Sequence, residues 1–299
     1  MRLLIVVTLA ALVAACSPKQ IGFNRMVDAL KSTASSYSTD NDLEFVRLAA
    51  PTTLKMIEMV LAQQPTNEGL LVTACSGFTQ YAYAFLQLDA DAAEGSNRAV
   101  AADLRVRAAL MQRRARDYCV RALDVRHKGF RDRLNRDAKA AVADMTAADV
   151  PALYWLAVSW GSELSVVSNQ LLRLPELVTV RVILDRALAL DERWELGAIH
   201  EAFIALDGLP GLLGGSADRA RQHFDRAIEL SGGQSAFAYV TMASSIAAPA
   251  RDRAAFDKWI KATLAVDVDK VPEMRLANLI AQKRARVLMG KTSTLFPGR

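Results

Sequence analysis

Few residues of this sequence have the types and spacing that chemistry at a metal, a cofactor or a nucleophile requires. His200-Glu201 begins like an H-E-x-x-H zinc-protease helix, but position 204 is an isoleucine and the second histidine ligand is missing. The two other histidines lie in different segments, and no two cysteines have the spacing of metal ligands. The glycine-rich segment 208–216 lacks the Gly-Lys-Ser or Gly-Lys-Thr ending of a phosphate-binding loop. We therefore predict no metal site, no cofactor and no enzymatic activity.

One pair of carboxylates keeps an envelope hydrolase open as the least supported alternative. Glu163 and Glu201 are the only acidic side chains that we can nominate for convergence in one pocket. Two carboxyl groups in a shared pocket are suited to general acid and base catalysis. Loss of both carboxylates without loss of any activity would exclude this alternative.

The N-terminus has the parts of an export signal. Met1-Arg2 supplies a positive charge, an apolar run follows, and small residues end it. Val13-Ala14-Ala15-Cys16 resembles a lipobox, in which the cysteine thiol receives diacylglycerol before cleavage, whereas the alternative is an ordinary signal peptide with an incidental Cys16. We expect residues 1–15 to be removed and acyl chains on Cys16 to anchor the protein. Because Ser17 rather than aspartate follows, we expect the outer membrane, on its periplasmic side.

Charge and cysteine content set further bounds. The formal charge of +5 is a mild excess that neither requires nor excludes an acidic partner, and export argues against nucleic acid as a partner. Beyond the signal, no apolar run is long enough to predict a membrane span. Cys75 and Cys119 occupy positions where small or apolar residues would pack, which favours buried thiols. The periplasm is oxidising, so a disulfide between them remains open.

Apolar residues recur every three or four positions along the chain, which predicts an all-α protein. One pattern recurs within this periodicity: a small or apolar residue, a large apolar residue four positions later, and a small or apolar residue three positions after that. These offsets match the second helix of a tetratricopeptide repeat, where small residues let the paired helix approach. The five copies are Thr53/Ile57/Val60, Ala115/Cys119/Ala122, Val180/Leu184/Ala187, Ala220/Phe224/Ala227 and Ala255/Trp259/Ala262.

Breaks follow four of these copies, and new amphipathic helices are expected near Leu70, Trp194, Ser235 and Glu273. Successive copies lie 62, 65, 40 and 35 residues apart, whereas an uninterrupted array repeats at about 34. We therefore predict a tetratricopeptide-like helical-repeat domain, an α-solenoid with degenerate repeats and insertions. The predicted organisation is a signal peptide (1–15), a lipidated tether (16–23), the repeat domain (24–291) and a flexible tail (292–299).

A repeat architecture of this kind offers a concave face for binding. The helical register assigns a mostly apolar groove or pore to this face, of the type that suits a small organic ligand. The residues predicted to line it are Gln80, Trp160, Glu163, Ile199 and Phe203.

Groups of residues spread from about residue 24 to 289 carry a resemblance to a known family. They are Gly77 to Phe85; Tyr118 to Ala122 with Arg126 to Phe130; Trp155 with Trp160-Gly161; Asp191-Glu192 with Gly197 to Glu201; His223 to Ala227 with Ser231 to Gly233; and Leu276 to Gln282. Together they resemble the T component of tripartite ATP-independent periplasmic (TRAP) transporters, often called TatT.

The resemblance implies a periplasmic lipoprotein of tetratricopeptide-like helix pairs that tends to form a homotrimer with an apolar pore. It also implies a TRAP substrate-binding protein as partner, and a small hydrophobic or organic-acid ligand that passes between the pore and that partner. The apolar segment Leu209 to Leu213 differs from the more polar linker expected of the family. A scaffold for outer-membrane or envelope assembly, holding an extended peptide in the same groove, is the alternative.

Overall fold

The computed structural model describes residues 18–166 and 170–298, and this part of the chain contains helices and connecting turns but no strand. The prediction of an all-α protein is confirmed. The predicted signal peptide (1–15) and Cys16 lie outside the described residues. The helices are α1 (Pro18–Lys31), α2 (Thr33–Ser38), α3 (Leu43–Gln63), α4 (Glu68–Tyr81), α5 (Leu88–Ala93), α6 (Arg98–Arg126), α7 (Phe130–Arg136), α8 (Ala138–Val142), α9 (Val150–Val166), α10 (Leu174–Leu190), α11 (Ala198–Asp207), α12 (Ala217–Ser231), α13 (Ala236–Met242), α14 (Arg253–Ala265), α15 (Arg275–Gly290) and α16 (Thr292–Leu295).

Two helices contain a π-helical turn. Residues Ala82–Gln87 form such a turn between α4 and α5, and Ala243–Ala247 form another directly after α13. Turns of this kind are rare and occur frequently at functional sites. Because the first of these turns directly joins α4 to α5, the two helices form one long helical segment with a widened turn in the middle.

Capping residues fix the starts of several helices. Asn67 and Ser216 accept backbone N–H groups at the starts of α4 and α12, as Asp252 does at the start of α14. Gly232 and Gly233 end α12 with φ values of 59° and 77°, a conformation that glycine adopts without strain. The helices predicted near Leu70, Trp194, Ser235 and Glu273 begin at Glu68, Ala198, Ala236 and Arg275, within a few residues of the predicted positions.

The helices form two layers. The outer layer consists of α3, α6, α10, α12 and α14, and the inner layer of α4 with α5, α9, α11, α13 and α15. Each outer helix packs against an inner helix that follows it, and neighbouring inner helices contact one another. The last inner helix, α15, also contacts α2, α3 and α5. The first and last pairs are therefore joined, and the layers close into a ring.

A polar seam joins the two ends of the ring. Asp89 of α5 accepts Lys283 of α15 at 2.8 Å and Arg47 of α3 at 2.6 Å. Nearby, Arg275 donates to the Thr39 carbonyl oxygen at 2.7 Å. Apolar packing of Phe85 against α15 accompanies these bonds. The closure thus combines ion pairs with a buried apolar contact.

The recurring sequence pattern lies on the outer helices, facing the inner layer. In the second to fourth copies all three positions are buried, and alanines such as Ala115 and Ala187 have no exposed surface, so neighbouring helices approach closely. The fifth copy differs, because Ala255, Trp259 and Ala262 are only partly buried. One residue later, the same spacing selects the buried residues Phe256, Ile260 and Thr263. Trp259 instead packs edge-on against Phe224, with ring centroids 4.8 Å apart.

The structure corrects the interpretation of Cys75 and Cys119 as buried thiols. The two residues form a disulfide that links α4 to α6, with their Cα atoms 5.4 Å apart. Neither residue has exposed surface. The correct pairing needs two facing positions on helices in close contact, which spacing along one sequence does not reveal.

The C-terminal residues, for which the sequence predicts a flexible tail, pack onto the domain. Helix α16 is followed by Phe296, which is buried against Phe256 with ring centroids 5.1 Å apart. One aromatic side chain therefore attaches the last described residues to the core.

Candidate functional site

Polar side chains from four inner segments form a group, which we call the inner cluster. Its members are Tyr83, Gln87, Ser165, Ser244 and Arg284. Tyr83 and Gln87 lie one turn apart in the first π-helical turn, and Ser244 lies in the second. Ser165 belongs to α9 and Arg284 to α15. The two widened turns and the closing helix therefore contribute to one place.

Direct contacts join these residues to one another and to neighbouring helices. Arg284 donates to Ser244 Oγ at 2.9 Å, and its guanidinium carbon lies 5.9 Å from the centre of the Tyr83 ring. Tyr83 also contacts Phe237 of α13, with ring centroids 5.8 Å apart. Gln87 donates to Ser165 Oγ at 3.4 Å. These contacts join the α4 segment to α9, α13 and α15.

Two polar atoms of the inner cluster, Tyr83 Oη and Gln87 Oε1, are buried. Gln87 Oε1 makes no hydrogen bond within the part of the chain that the structure describes, whereas Tyr83 interacts with the Arg284 guanidinium, which opposes the effect of burial on its pKa. Burial raises the pKa of Tyr83, so its phenol is neutral near pH 7 and can donate a proton. Leaving buried polar groups without partners costs free energy. The cluster therefore has unused capacity for hydrogen bonds.

Gln80, the first of the predicted lining residues, borders a small apolar cavity between α3, α4 and α15. The cavity measures about 60 Å³, and its walls include Leu54, Phe85 and Ile280. Gly77 keeps the wall thin, because a Cβ atom added there would lie 2.7 Å from a Leu54 methyl carbon. This space suits a short apolar group.

Trp160 and Glu163 lie between α9 and the outer helices. Glu163 has no exposed surface and pairs with Arg113 at 3.0 Å and Arg116 at 2.9 Å. Trp160 donates to Glu176 at 2.7 Å and lies beneath the Arg116 guanidinium. Both side chains therefore bond to residues of the outer helices. Within the part of the chain that the structure describes, no contact joins Glu163 to Glu201.

Ile199 and Phe203 are buried in the core, with 0% and 1% of their surface exposed. Phe203 stacks on His223, with ring centroids 4.5 Å apart. His223 shares a hydrogen bond with His200 through their Nδ1 atoms, 2.8 Å apart. Burial lowers the pKa of His223 to about 4, so this ring is neutral near pH 7. The five predicted lining residues thus occupy three different environments.

Asp207 anchors the polar surroundings of this histidine. It has no exposed side-chain surface and accepts bonds from Arg181 and from Arg219, whose Nη2 lies 2.8 Å away. Beside these arginines, α10, α11 and Leu213 border a surface cavity of about 410 Å³. The two guanidinium groups at its edge are therefore already paired.

His200 and Glu201, which begin like a zinc-protease motif, face different neighbours. His200 Nε2 lies 3.2 Å from Glu192, whereas Glu201 accepts the Ser235 hydroxyl between α11 and α13. Burial raises the pKa of Glu201 to about 7. Within residues 18–166 and 170–298, no group of three histidine, cysteine or acidic side chains could hold a metal ion.

Sequence reasoning missed Arg284 altogether and included Tyr83 only within the resembling segment Gly77 to Phe85. In the sequence, the signal for Arg284 is its position close to the resembling segment Leu276 to Gln282. Its importance follows from closure of the ring, which brings α15 against the α4 segment.

Among the described helices, none is both long and apolar enough to cross a membrane.

Comparisons with known proteins identify a family and a relative of this chain. Residues 39–296 match the TRAP transporter T-component family. An uncharacterized protein of Treponema pallidum (strain Nichols) is 26% identical over 310 residues, and the alignment covers 95% of this chain and 94% of that protein. The family match covers both layers of the ring and the inner cluster. The chain therefore belongs to the TRAP transporter T-component family.

Proposed function

We propose that this protein is a lipid-anchored accessory component of a TRAP transport system, which binds the periplasmic substrate-binding protein and exchanges a small organic ligand with it. The family match over residues 39–296 carries the proposal. The closed ring supports it, because the ring surrounds partly buried polar and aromatic groups of the kind that bind small molecules. The disulfide supports an oxidising compartment such as the periplasm.

The proposal includes tetratricopeptide-like helix pairs and a homotrimer. Five outer helices that each precede an inner partner support the first part. Exposed apolar side chains on outer helices, including Leu48 at 75% and Met59 at 69% exposure, support contact between copies. Light scattering of the detergent-solubilised mature protein tests the trimer, and a monomeric mass would contradict it.

Affinity capture tests the partner. We expect the tagged mature chain, solubilised from the envelope, to retain a TRAP substrate-binding protein from periplasmic extract, identified by mass spectrometry. The control is an unrelated lipoprotein with the same tag. Recovery of only abundant outer-membrane proteins, at low salt and in repeated captures, would reject the proposed partner and favour an assembly scaffold.

Metabolic labelling with palmitate tests the anchor at Cys16. We expect label on the wild-type chain, none on Cys16→Ser, and undiminished label on a Cys75→Ala/Cys119→Ala control. Fractionation of the envelope then tests the expected outer-membrane location. An unlabelled mature chain free in the soluble fraction would contradict the anchor.

A further inference from the structure

Helix α1 connects the expected acylation site to one edge of the ring. Its first residue, Pro18, follows Cys16 by two positions. Its last residue, Lys31, lies beside the start of α4, where a Cβ atom added at Gly69 would be 3.2 Å from Lys31 Cδ. We call this the anchor edge. The 14 residues of α1 span about 20 Å and two extended residues about 7 Å, so chain length limits the distance from Cys16 to Lys31 to about 27 Å.

Helix α1 extends from the anchor edge away from the ring. In α2, Tyr37 Oη lies 2.7 Å from Thr53 Oγ1, in the middle of α3. Ser32, between α1 and α2, has helical dihedral angles (φ −84°, ψ 0°), so the two helices form one nearly continuous rod. Because α2 leads from the edge along α3, α1 leads in the opposite direction. Leu30 is accordingly buried, whereas Arg25 is exposed.

The same edge carries residues 126–140, which follow the last turn of α6 and which we call the basic segment. Arg126 pairs with Glu68, in the first turn of α4, at 2.5 Å. This pair places the start of the basic segment beside Gly69 and therefore at the anchor edge. The segment contains six lysine and arginine residues and two aspartates. Its excess of four positive charges is most of the formal charge of +5 of the whole chain.

Four cations of the basic segment have no carboxylate partner within the part of the chain that the structure describes. They are Lys128, Arg133, Arg136 and Lys139. Arg133 and Arg136 donate to backbone carbonyl oxygens instead. Arg131, by contrast, pairs with Asp117 at 2.7 Å. One of the two aspartates of the segment, Asp137, caps α8. The basic segment therefore keeps positive charge that no protein group neutralises.

A bilayer with anionic headgroups has the charge that the basic segment lacks. Each lysine or arginine near such a surface strengthens binding by about fivefold. This attraction decays over about 10 Å at moderate salt. An anchor on Cys16 keeps the anchor edge close enough to the bilayer for contact. The start of α6 is farther away, because its 29 residues make a helix about 43 Å long.

We propose that the basic segment binds anionic phospholipid headgroups of the membrane that holds the acyl chains, so that the ring stands with its anchor edge on the bilayer. The inference rests on the lipid anchor of the proposed function and adds a second membrane contact with a fixed orientation. The opposite edge, at the start of α6, then faces away from the membrane and is open to a soluble partner.

Co-sedimentation with vesicles tests the contact without the acyl chains. The protein is the mature chain with Cys16→Ala, a change that precedes every residue of the ring. The vesicles are phosphatidylcholine alone or equal parts of phosphatidylcholine and phosphatidylglycerol. We expect binding to the anionic vesicles only. Raising the salt from about 0.1 M to about 1 M should abolish binding, because the screening length falls from about 10 Å to about 3 Å.

A triple variant tests the residues of the basic segment. Lys128→Gln/Arg136→Gln/Lys139→Gln removes three exposed cations that have no ion pair among the described residues. At about fivefold for each residue, binding to the anionic vesicles should fall by about a hundredfold. The thermal unfolding midpoint should stay unchanged, because no ion pair is broken.

The matched control removes the same charge elsewhere. Arg107→Gln/Lys261→Gln/Lys270→Gln changes three exposed cations outside the basic segment, and binding should stay within about threefold of wild type because distant charges are screened. Equal losses in the two triple variants would assign binding to net charge and overturn the proposal. Absence of wild-type binding to anionic vesicles, or equal binding to uncharged vesicles, would also overturn it.

Energy transfer on the acylated mature chain tests the orientation. A donor dye on Ala143→Cys, close to the basic segment, should transfer more energy to acceptor-labelled lipids than a donor on Ser96→Cys, near the start of α6. Equal or reversed efficiencies on anionic vesicles would overturn the proposal. Palmitate labelling reports on the anchor separately. If Cys16 is labelled while the vesicles are not bound, this inference fails and the anchor of the proposed function stands.

Discussion

Removal of the disulfide gives the sharpest test of the fold. Cys75 and Cys119 are 44 residues apart in sequence, and the bond joins α4 to α6. In the chain-entropy description, a loop of this length stabilises the folded protein by about 4 kcal/mol. The double variant Cys75→Ala/Cys119→Ala opens the loop, and alanine avoids the unsatisfied hydroxyl that serine would bury. We therefore expect a loss of about 4 kcal/mol in the free energy of unfolding.

Thermal unfolding followed by circular dichroism measures this loss. At about 2–4 °C per kcal/mol for a chain of this size, the midpoint of the double variant should fall by about 8–16 °C. Wild type unfolded and refolded in dithiothreitol should show a similar midpoint, because it has lost the same bond. The double variant should not respond to dithiothreitol, which makes it the control for other effects of the reductant.

Two results would refute this reasoning. One is a wild-type midpoint that reductant does not change after complete unfolding. The other is a thiol titration that finds both Cys75 and Cys119 free in the unreduced, denatured mature protein. Either result would mean that the helices approach without a covalent link, and the stability of the α4/α6 pair would have to come from packing alone.

Further predictions concern buried charges and close packing. Asp207→Ala should cost about 2–3 kcal/mol, at the low end for a broken buried pair because both arginines are partly exposed, whereas the exposed Asp218→Ala should leave the unfolding midpoint unchanged. Burial raises the pKa of Glu201 to about 7. The protonated carboxyl therefore contributes stability that is complete below the ordinary pKa of glutamate and is lost as the pH rises through about 7. Glu201→Gln should remove this loss, which urea unfolding between about pH 5 and about pH 9 measures. Gly77→Ala places a Cβ atom 2.7 Å from a leucine methyl carbon and should cost about 1 kcal/mol, whereas Gly161→Ala, whose nearest contact is 3.8 Å, should be neutral or stabilising in the same assay.

Local features of the fold were predictable from sequence. Helical periodicity and the breaks between helices depend on neighbouring residues, and the structure has both, including the end of α12 at Gly232-Gly233. The outer helices were also found by their small residues, apart from a shift of one position at Phe256. Helix propensity and close packing act over a few residues, so one sequence contains that information.

Long-range features were not predictable in the same way. The Cys75 pairing depends on how two helices meet, and the position of Arg284 depends on contact between the two ends of the chain. The register also assigned Phe203 and Glu163 to a lining surface, whereas their side chains have at most 1% exposed surface. Periodicity identifies the buried face of a helix, but it does not say whether that face meets a cavity or another helix.

The closing seam and the inner cluster are linked through the register of α15. Lys283 points to the seam, where it bonds to Asp89 at 2.8 Å. Successive side chains of an α-helix are about 100° apart around the axis, so fixing Lys283 at the seam also fixes the direction of Arg284. The ion pair that closes the ring therefore also sets the direction of Arg284 towards Tyr83 and Ser244.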